Sequence, residues 1–187
     1  MDEAIAPKRR DARQMRSRIA MHRALFALLA EGPFDRITGA MVADRAGIGY
    51  STFFRHYPDV RALLVDAVRA LTDDFAQALL PALLRQDGPG AARSFIDAVD
   101  ARRAQIGMLI GIGDVLRREL RRQIVDRFAA LPDTGATWLP RRLAIRIAVA
   151  STVELLDWWL NEDPEHDAAD IAELLSTAIL HPLMTRP

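Results

Sequence analysis

The sequence contains no cysteine, and this absence removes several classes of function. Disulfide frameworks, thiolate zinc sites and cysteine nucleophiles are all excluded. No apolar run approaches the roughly 18 residues that a membrane-spanning helix needs. The first residues, MDEAIAPKRRDAR, lack the apolar core of a secretory signal. Together these absences predict a cytoplasmic protein.

The common catalytic motifs are missing as well. HExxH, a nucleophile elbow and a phosphate loop do not occur, and the four histidines are dispersed. We therefore expect no enzymatic activity and no cofactor. An alternative is a helical enzyme with a surface metal site, in which His166 would join Asp163, Glu165 and Asp167. An acidic turn between two helices explains the same residues more simply.

The net charge of zero hides a difference between the two ends of the chain. Residues 1–61 carry 11 Lys and Arg against 7 Asp and Glu, whereas residues 62–187 carry 14 against 18. A basic N-terminal part indicates that this part alone meets a polyanion. Residues 1–12, which include Lys8, Arg9 and Arg10, are predicted to form a flexible basic arm or a solvated tail.

Half of the residues are hydrophobic, and their spacing is helical along the whole chain. No convincing strand is found, so the predicted fold is all-α. The predicted helices cover about 12–31, the segment between Thr38 and Gly47, 50–56, a stretch from Pro58 to a break or kink near Pro81, two or three helices between 91 and 131, 141–161 and 168–181. The segment 85–90, RQDGPG, is predicted to be a loop.

The segment from Thr38 to Tyr57 has the spacing of a helix-turn-helix. Thr38 is placed to cap the first of the two helices, and Gly47 to form a left-handed turn after it. Ile48 and Phe53 would fill the space between the helices. In such units the second helix enters the DNA major groove. The residues expected to face outward on it are Tyr50, Ser51, Thr52, Arg55 and His56.

The run ITGAMVADRAGIGYSTFFRHYPDVRALL resembles the tetracycline-repressor (TetR) family of bacterial transcription regulators. That family commonly has a Thr-capped helix, Ala-Gly-Val-Ser, Thr-Phe-Tyr, an aromatic residue or His, Phe and a short turn. The match covers about residues 15–64. The resemblance implies a three-helix DNA-binding domain, here assigned to 13–60, and a helical effector-binding and dimerisation domain at 61–187.

Three positions depart from the family pattern. Gly49 stands where a capping Ser is frequent, Phe54 replaces a Tyr whose hydroxyl commonly meets a phosphate, and Val60 replaces a Lys. Tyr57 stands in place of Phe and is either buried core or a replacement contact. The departures imply either weaker binding to the DNA backbone or compensation by other basic residues: Arg55, Arg61, Lys8, Arg9, Arg10 and Arg13. The predicted DNA-binding residues are Thr38, Tyr50, Ser51, Thr52, Arg55, His56, Tyr57 and Arg61.

The resemblance also implies a small, largely apolar effector bound by the C-terminal domain. The aromatic and Met residues there could line an apolar cavity, although a filled core uses the same residue types. The candidates are Phe75, Phe95, Met108, Ile112, Phe128, Trp138 and Trp158. The run RRELRR at 117–122 is interpreted as a solvated helix face in which Glu119 pairs with nearby arginines.

The helices predicted at 141–161 and 168–181 are apolar on more than one face, so they need a partner to cover them. A four-helix interface between two copies would do so, and a homodimer can read both half-sites of a palindrome. The predicted interface residues are Leu143, Ile147, Leu155, Trp159, Ile171, Leu175 and Ile179. We expect a repressor released by its effector; a ligand-independent DNA-binding protein is the alternative.

Overall fold

The computed structural model describes residues 5–112, 114–133, 135 and 137–185, with side chains for 12–112, 117–133, 135 and 137–185. These residues form helices joined by short connections, and no strand occurs among them, as the sequence predicts. The α-helices are α1 (Ile5–Glu31), α2 (Gly39–Arg45), α3 (Tyr50–His56), α4 (Val60–Leu84), α5 (Gly88–Asp100), α6 (Arg103–Ile110), α7 (Asp114–Ala129), α8 (Arg141–Asp157), α9 (Ala168–Leu174) and α10 (His181–Met184). A 3₁₀ turn covers Phe34–Arg36, and π-helical turns cover Trp158–Glu162 and Leu175–Leu180. None of the described helices combines the length and the apolar character needed to cross a membrane.

Three helix boundaries differ from the prediction. Helix α1 begins at Ile5, so residues 5–12 of the predicted arm continue this helix. Helix α4 passes through Pro81 and ends only at Leu84. Proline leaves the carbonyl of Gln77 without its helical partner, and because Gln77 and Pro81 are both exposed, water can reach that carbonyl.

Helix α5 begins inside the segment that was predicted to be a loop. The Asp87 carboxylate accepts a hydrogen bond from the backbone N–H of Gly90 at 2.8 Å, which caps the helix. Pro89 occupies the first turn, where its missing N–H has no helical partner to lose. The loop prediction for 85–90 is therefore wrong for its second half, because the same residues that favour loops also favour helix starts.

The chain divides into two compact units, Met1–Val68 and Arg69–Pro187. The first unit contains α1, α2, α3 and the beginning of α4. Its completely buried large side chains come from all four helices: Met21, Leu25, Val42, Phe53, Leu63 and Leu64. The unit extends to residue 68 because α4 supplies part of this core.

The second unit has its core between α5, α6, α8 and α9. The buried residues of this core are Ala92, Ile96, Val99, Ile106, Ile110, Leu156, Trp159, Ile171, Ala172 and Leu175. Trp159 is completely buried, and its indole Nε1 donates to the backbone oxygen of His166 at 3.0 Å. The guanidinium of Arg103 lies 4.4 Å above the Trp159 ring, which adds a cation–π contact. Trp159 therefore anchors the end of α8 in the core of this unit.

Candidate functional site

Helix α2 starts with a capping threonine, as predicted. The Thr38 hydroxyl oxygen accepts a hydrogen bond from the backbone N–H of Met41 at 3.3 Å. The next residue, Gly39, lies so close to α3 that an added Cβ would stand 2.8 Å from a ring carbon of Phe53. Glycine at this position permits the close approach of α2 and α3. Sequence reasoning missed Gly39, although a glycine at the first position of a helix is a recognisable signal.

The turn between α2 and α3 also agrees with the prediction. Gly47 has φ of +64°, a left-handed conformation that glycine adopts without steric cost. The backbone N–H of Ile48 donates to the Ala43 carbonyl at 3.0 Å and closes the turn. Gly49 then precedes α3 without a side-chain cap. The turn fixes where the outer face of α3 points relative to α2.

Helix α3 separates a buried face from an exposed one. Phe53 is completely buried between the helices, as predicted, whereas Tyr50 keeps 59% of its surface exposed. Ser51 and Arg55 are exposed, while Thr52 and His56 are half-buried. The predicted outward residues are therefore all at least partly open to solvent and carry hydroxyl, guanidinium and imidazole groups.

Two contacts order this exposed face. The Tyr50 ring packs 4.7 Å from the ring of Phe54, and Phe54 remains 44% exposed. Arg55 Nη2 donates to the Thr52 hydroxyl at 3.3 Å. Burial, and secondly the nearby Arg55 cation, lower the pKa of His56. His56 is therefore neutral at pH 7, and a neutral imidazole can donate one hydrogen bond.

Tyr57 does not belong to this exposed face, which corrects its assignment as a DNA-contacting residue. Its side chain is buried, and its hydroxyl donates to Asp66 Oδ2 at 2.5 Å. The same carboxylate accepts from Arg18 Nε at 2.6 Å and Nη2 at 2.7 Å, and lies 3.0 Å from His22 Nε2. These four side chains, called the Asp66 cluster, join α1 and α4 to the end of α3.

The pKa directions within the Asp66 cluster show which groups carry charge. Burial opposes ionisation of Asp66, but hydrogen bonds from Arg18, Tyr57 and His22 outweigh it and lower the carboxyl pKa. Burial lowers the pKa of His22 more than its contact with Asp66 raises it. Burial, followed by the bond to Asp66, raises the pKa of Tyr57 far above its usual value. At neutral pH the cluster holds one guanidinium, one carboxylate and two neutral donors.

The other basic candidates lie on α1 and at the start of α4. Arg61 is exposed in the first turn of α4, beside Val60, which is buried; its contact with DNA stays a prediction. Arg13 is exposed on α1. Lys8, Arg9 and Arg10 belong to α1 and not to a flexible arm; their side chains lie outside the described ones, so their contact with a polyanion stays a prediction.

The predicted effector-binding residues are divided between core and surface. Phe75 and Phe95 form an edge-to-face pair 5.2 Å apart at the border of the core. Ile112 is buried, Phe128 is half-buried, and Trp138 is exposed with its Nε1 donating to the Pro182 carbonyl at 3.0 Å. Trp158 is half-buried, with its ring centre 5.4 Å from that of His166.

Met108 lines an open groove of about 590 Å³ in the second unit. The other lining residues are Arg103, Ala104, Gly107, Leu160, Asn161 and Pro164. The Arg103 guanidinium is held there by the Pro164 carbonyl at 2.8 Å and by Asp100 at 2.9 Å. The groove is mostly apolar, and its Arg103 guanidinium already has hydrogen-bond partners within the protein.

The predicted dimer interface needs revision at three positions. Trp159, Ile171 and Leu175 are buried in the core of the single chain, so their side chains offer no surface to a partner. Leu155 and Ile179 pack against the same core and are partly covered. Leu143 and Ile147, one turn apart on α8, are exposed by 45% and 38%. Of the predicted set, these two remain accessible.

In the acidic turn that was considered as a metal site, the side chains of His166 and Asp163 lie close together. His166 Nδ1 lies 3.2 Å from Asp163 Oδ2, while Asp167 caps α9 by accepting from the Ala169 N–H at 2.7 Å. Among the described residues, no group of three His, Asp or Glu side chains is arranged to hold a metal ion. Asp167 thus has a structural role in this turn as the cap of α9.

No family model matches the sequence, and no curated protein matches it. Solved structures do. The fatty acid degradation regulator FadR from Bacillus halodurans matches with a TM-score of 0.71 and 14% identity over 90% of this chain and 97% of that one. A TetR transcriptional regulator from Streptococcus agalactiae 2603V matches with a TM-score of 0.61 and 19% identity over 93% and 99%.

A third match is Thermus thermophilus FadR, a TetR-family transcriptional repressor in complex with lauroyl-CoA. Its TM-score is 0.60 and its identity 16%, over 91% of this chain and 96% of that one. The three matches cover nearly the full length of both partners, so the likeness includes the helices beyond the helix-turn-helix. The chain therefore has the fold of the TetR-family regulators.

Proposed function

We propose that this protein is a transcription regulator, a repressor in its free form, that binds palindromic operator DNA as a homodimer in the bacterial cytoplasm. The observation that carries the proposal is the exposed face of α3, where Tyr50, Ser51 and Arg55 lie beside Thr52 and His56. Short polar side chains on a helix that follows a tight glycine turn suit contacts with base edges and phosphates in the major groove.

Electrostatics support the same face. Arg55 and Arg61 are exposed at the end of α3 and the start of α4, where they would neutralise phosphates and position α3. Thr38, exposed at the start of α2, would add a phosphate contact to its capping role. Each phosphate neutralised steepens the salt dependence of binding. Phe54, which lacks a hydroxyl, contributes apolar contact only.

A homodimer formed through α8 and α9 would present two α3 helices to the DNA. Leu143 and Ile147 form an exposed apolar strip on α8, and Leu174 on α9 is 39% exposed. Ala178, one turn further along, is exposed as well and small enough for close packing. Pairing of these faces between two copies would make a four-helix interface. Two α3 helices would then meet two half-sites.

A small effector bound by the second unit would release the DNA. Helix α4 is continuous from Val60 to Leu84, and only its residues up to Val68 belong to the DNA-binding unit, so a shift of its later turns would be passed to that unit through the helix. An effector that favours the non-binding arrangement by about 1–3 kcal/mol would lower operator occupancy substantially. Two solved relatives of this fold hold lauroyl-CoA and stearoyl-CoA, so acyl thioesters belong among the first effectors to test.

Selection of bound sequences from random duplex DNA, with purified full-length protein near physiological salt, tests the proposal. We expect an inverted repeat. Thr52→Ala combined with His56→Ala should then weaken binding, and Arg61→Gln should reduce the salt slope by about one. Arg85→Gln, an exposed arginine in the loop after α4, is the matched control and should change neither quantity.

Other outcomes distinguish the alternatives. Binding without sequence preference would indicate a ligand-independent architectural protein. An unchanged affinity and salt slope in the Thr52→Ala, His56→Ala variant would show that the assigned face is wrong. Recovery of single half-sites only, together with the mass of a monomer for the unmodified protein in solution, would contradict the dimer. A dimer mass that is unchanged in Leu143→Glu would contradict the interface assigned to α8.

A further inference from the structure

Helix α7 carries charged residues on the side where apolar ones are expected. Its most buried described residues are Leu120 and Val125, and the arc between them faces the interior of the second unit. Arg118, Arg122 and Asp126 are exposed on the opposite side. The interior arc is occupied by Arg117, Arg121, Ile124 and Phe128, all half-buried. Two arginines thus precede two apolar residues along one inward stripe.

The run RRELRR is therefore a solvated face only in part. Arg122 is exposed and pairs with Glu119 at 2.9 Å, as the sequence predicts. The neighbouring Arg121 points inward because consecutive residues of a helix are rotated by about 100° about its axis, which separates Arg121 from the exposed side of Arg122. Its position comes from the packing of α7 against α8, which no local charge pattern reveals.

Arg121 has no partner among the described residues, in contrast to two arginines close to it. Arg127, also on α7, pairs with Asp73 of α4, and Arg142 of α8 pairs with Asp126 at 2.5 Å. No described residue pairs with Arg121, and its Nε is closed off from solvent with no acceptor within hydrogen-bonding distance. Burying an unpaired cationic nitrogen is costly, so such groups normally have an anionic partner.

We propose that Arg121 binds the anionic group of the effector and that the apolar body of this effector lies along Ile124 and Phe128. This inference rests on the proposed function and specifies its ligand as an amphipathic anion with a carboxylate or phosphate. Arg121 and Phe128 are seven residues apart, which is about 10 Å along the helix axis, so a medium-length chain spans the stripe. The guanidinium offers a planar fork of donors that matches a carboxylate or phosphate.

The test compares anions with a neutral molecule of the same chain length. Full-length protein is titrated with dodecanoate, dodecyl phosphate, lauroyl-CoA and dodecanol, each below its aggregation concentration, and the dissociation constant and thermal midpoint are measured. The unmodified protein should bind at least one anion roughly ten- to hundredfold more tightly than dodecanol. Dodecanoate and lauroyl-CoA distinguish a free carboxylate from a phosphate-bearing thioester as the source of the anion.

Three variants make the site assignment specific. Arg121→Met should abolish the preference for anions and raise the midpoint of the ligand-free protein, because an enclosed Nε without a hydrogen-bond acceptor is replaced by an apolar side chain of similar length. Arg121→Lys keeps the charge and should retain a weaker preference. Arg118→Met, on the exposed side of the same helix, is the matched control and should bind like the unmodified protein.

Equal binding of dodecanol and the anions, absence of binding by all three anions, or an anion preference that survives in Arg121→Met would each overturn the proposal. A change in oligomeric state in Arg121→Met without a change in anion binding would overturn it too, and would assign the partner of Arg121 to a second subunit. These measurements involve no DNA. If no operator is selected but anion binding depends on Arg121, the regulator proposal is therefore refuted and the anion site remains.

Discussion

Removal of the Tyr57 hydroxyl tests whether the Asp66 cluster holds α3 from the inside. Tyr57→Phe deletes one hydrogen bond to a carboxylate, made at 2.5 Å, and changes little else in shape. Hydrogen bonds to charged groups contribute about 1.5–3 kcal/mol. Asp66 is 23% exposed and keeps its bond from Arg18, so the expected loss lies near the lower limit, about 1.5 kcal/mol.

Hydrogen exchange of backbone amides in α3 and in the first turns of α4 measures this loss in the full-length protein. A loss of about 1.4 kcal/mol corresponds to tenfold faster exchange through opening of this region. The chain has only two tyrosines, and the other provides a matched control. Tyr50→Phe alters an exposed hydroxyl and should leave exchange unchanged, while operator affinity falls if that hydroxyl contacts DNA.

The opposite pattern would refute the reasoning. If Tyr57→Phe lowered operator affinity and left exchange in α3 unchanged, the hydroxyl would contact DNA directly and the buried assignment would be wrong. A fall in affinity that accompanies faster exchange fits a positioning role, because a loosened α3 must be ordered again on binding.

Two further substitutions test the packing and the charge state of the first unit. Gly39→Ala should destabilise this unit by about 1–3 kcal/mol, because its Cβ would lie 2.8 Å from the Phe53 ring. Urea denaturation measures this loss, with Gly32→Ala as the control because its Cβ would meet nothing within 4 Å. Equal denaturation midpoints of the two variants would contradict the prediction. Because burial lowers the pKa of His22 from 6.5, the folded state resists its protonation. The stability contributed by neutral His22 is complete above the unfolded pKa and is lost as pH falls through the folded one. Unfolding between about pH 7.5 and pH 5.5 should show this decline, and His22→Gln should flatten it; an identical slope in both proteins would rule His22 out as its source.

The helix-turn-helix could be predicted because its signals are local. Thr38 caps α2 by accepting a hydrogen bond from the backbone N–H three residues later. The left-handed turn depends on Gly47 alone. Phe53 was recognisable as interior by its place on a short helix. Each of these choices is decided within one or two turns of chain, so residue type and spacing carry enough information.

The inner side of the same domain could not be predicted in this way. The Asp66 carboxylate, which accepts the hydrogen bond of the Tyr57 hydroxyl, lies nine residues further along the chain. Its contact with Arg18 joins residues that are 48 positions apart. The sequence left two choices for Tyr57, core or contact, since a phenol suits both. Packing of α1 against α4 decided between them by placing Asp66 within reach of the hydroxyl.

The sequence by itself determined the all-α class, the turn geometry and the outward residues of α3, because capping, glycine conformation and helical periodicity act over a few residues. Tertiary structure alone decided that Tyr57 and Asp66 pair inside the first unit, that Trp159 belongs to the core of its own chain, and that Arg121 faces the interior of the second unit with no partner among the described residues. Those outcomes depend on which helices meet, and an amphipathic pattern specifies a buried face but not the groups that the neighbouring helix presents to it.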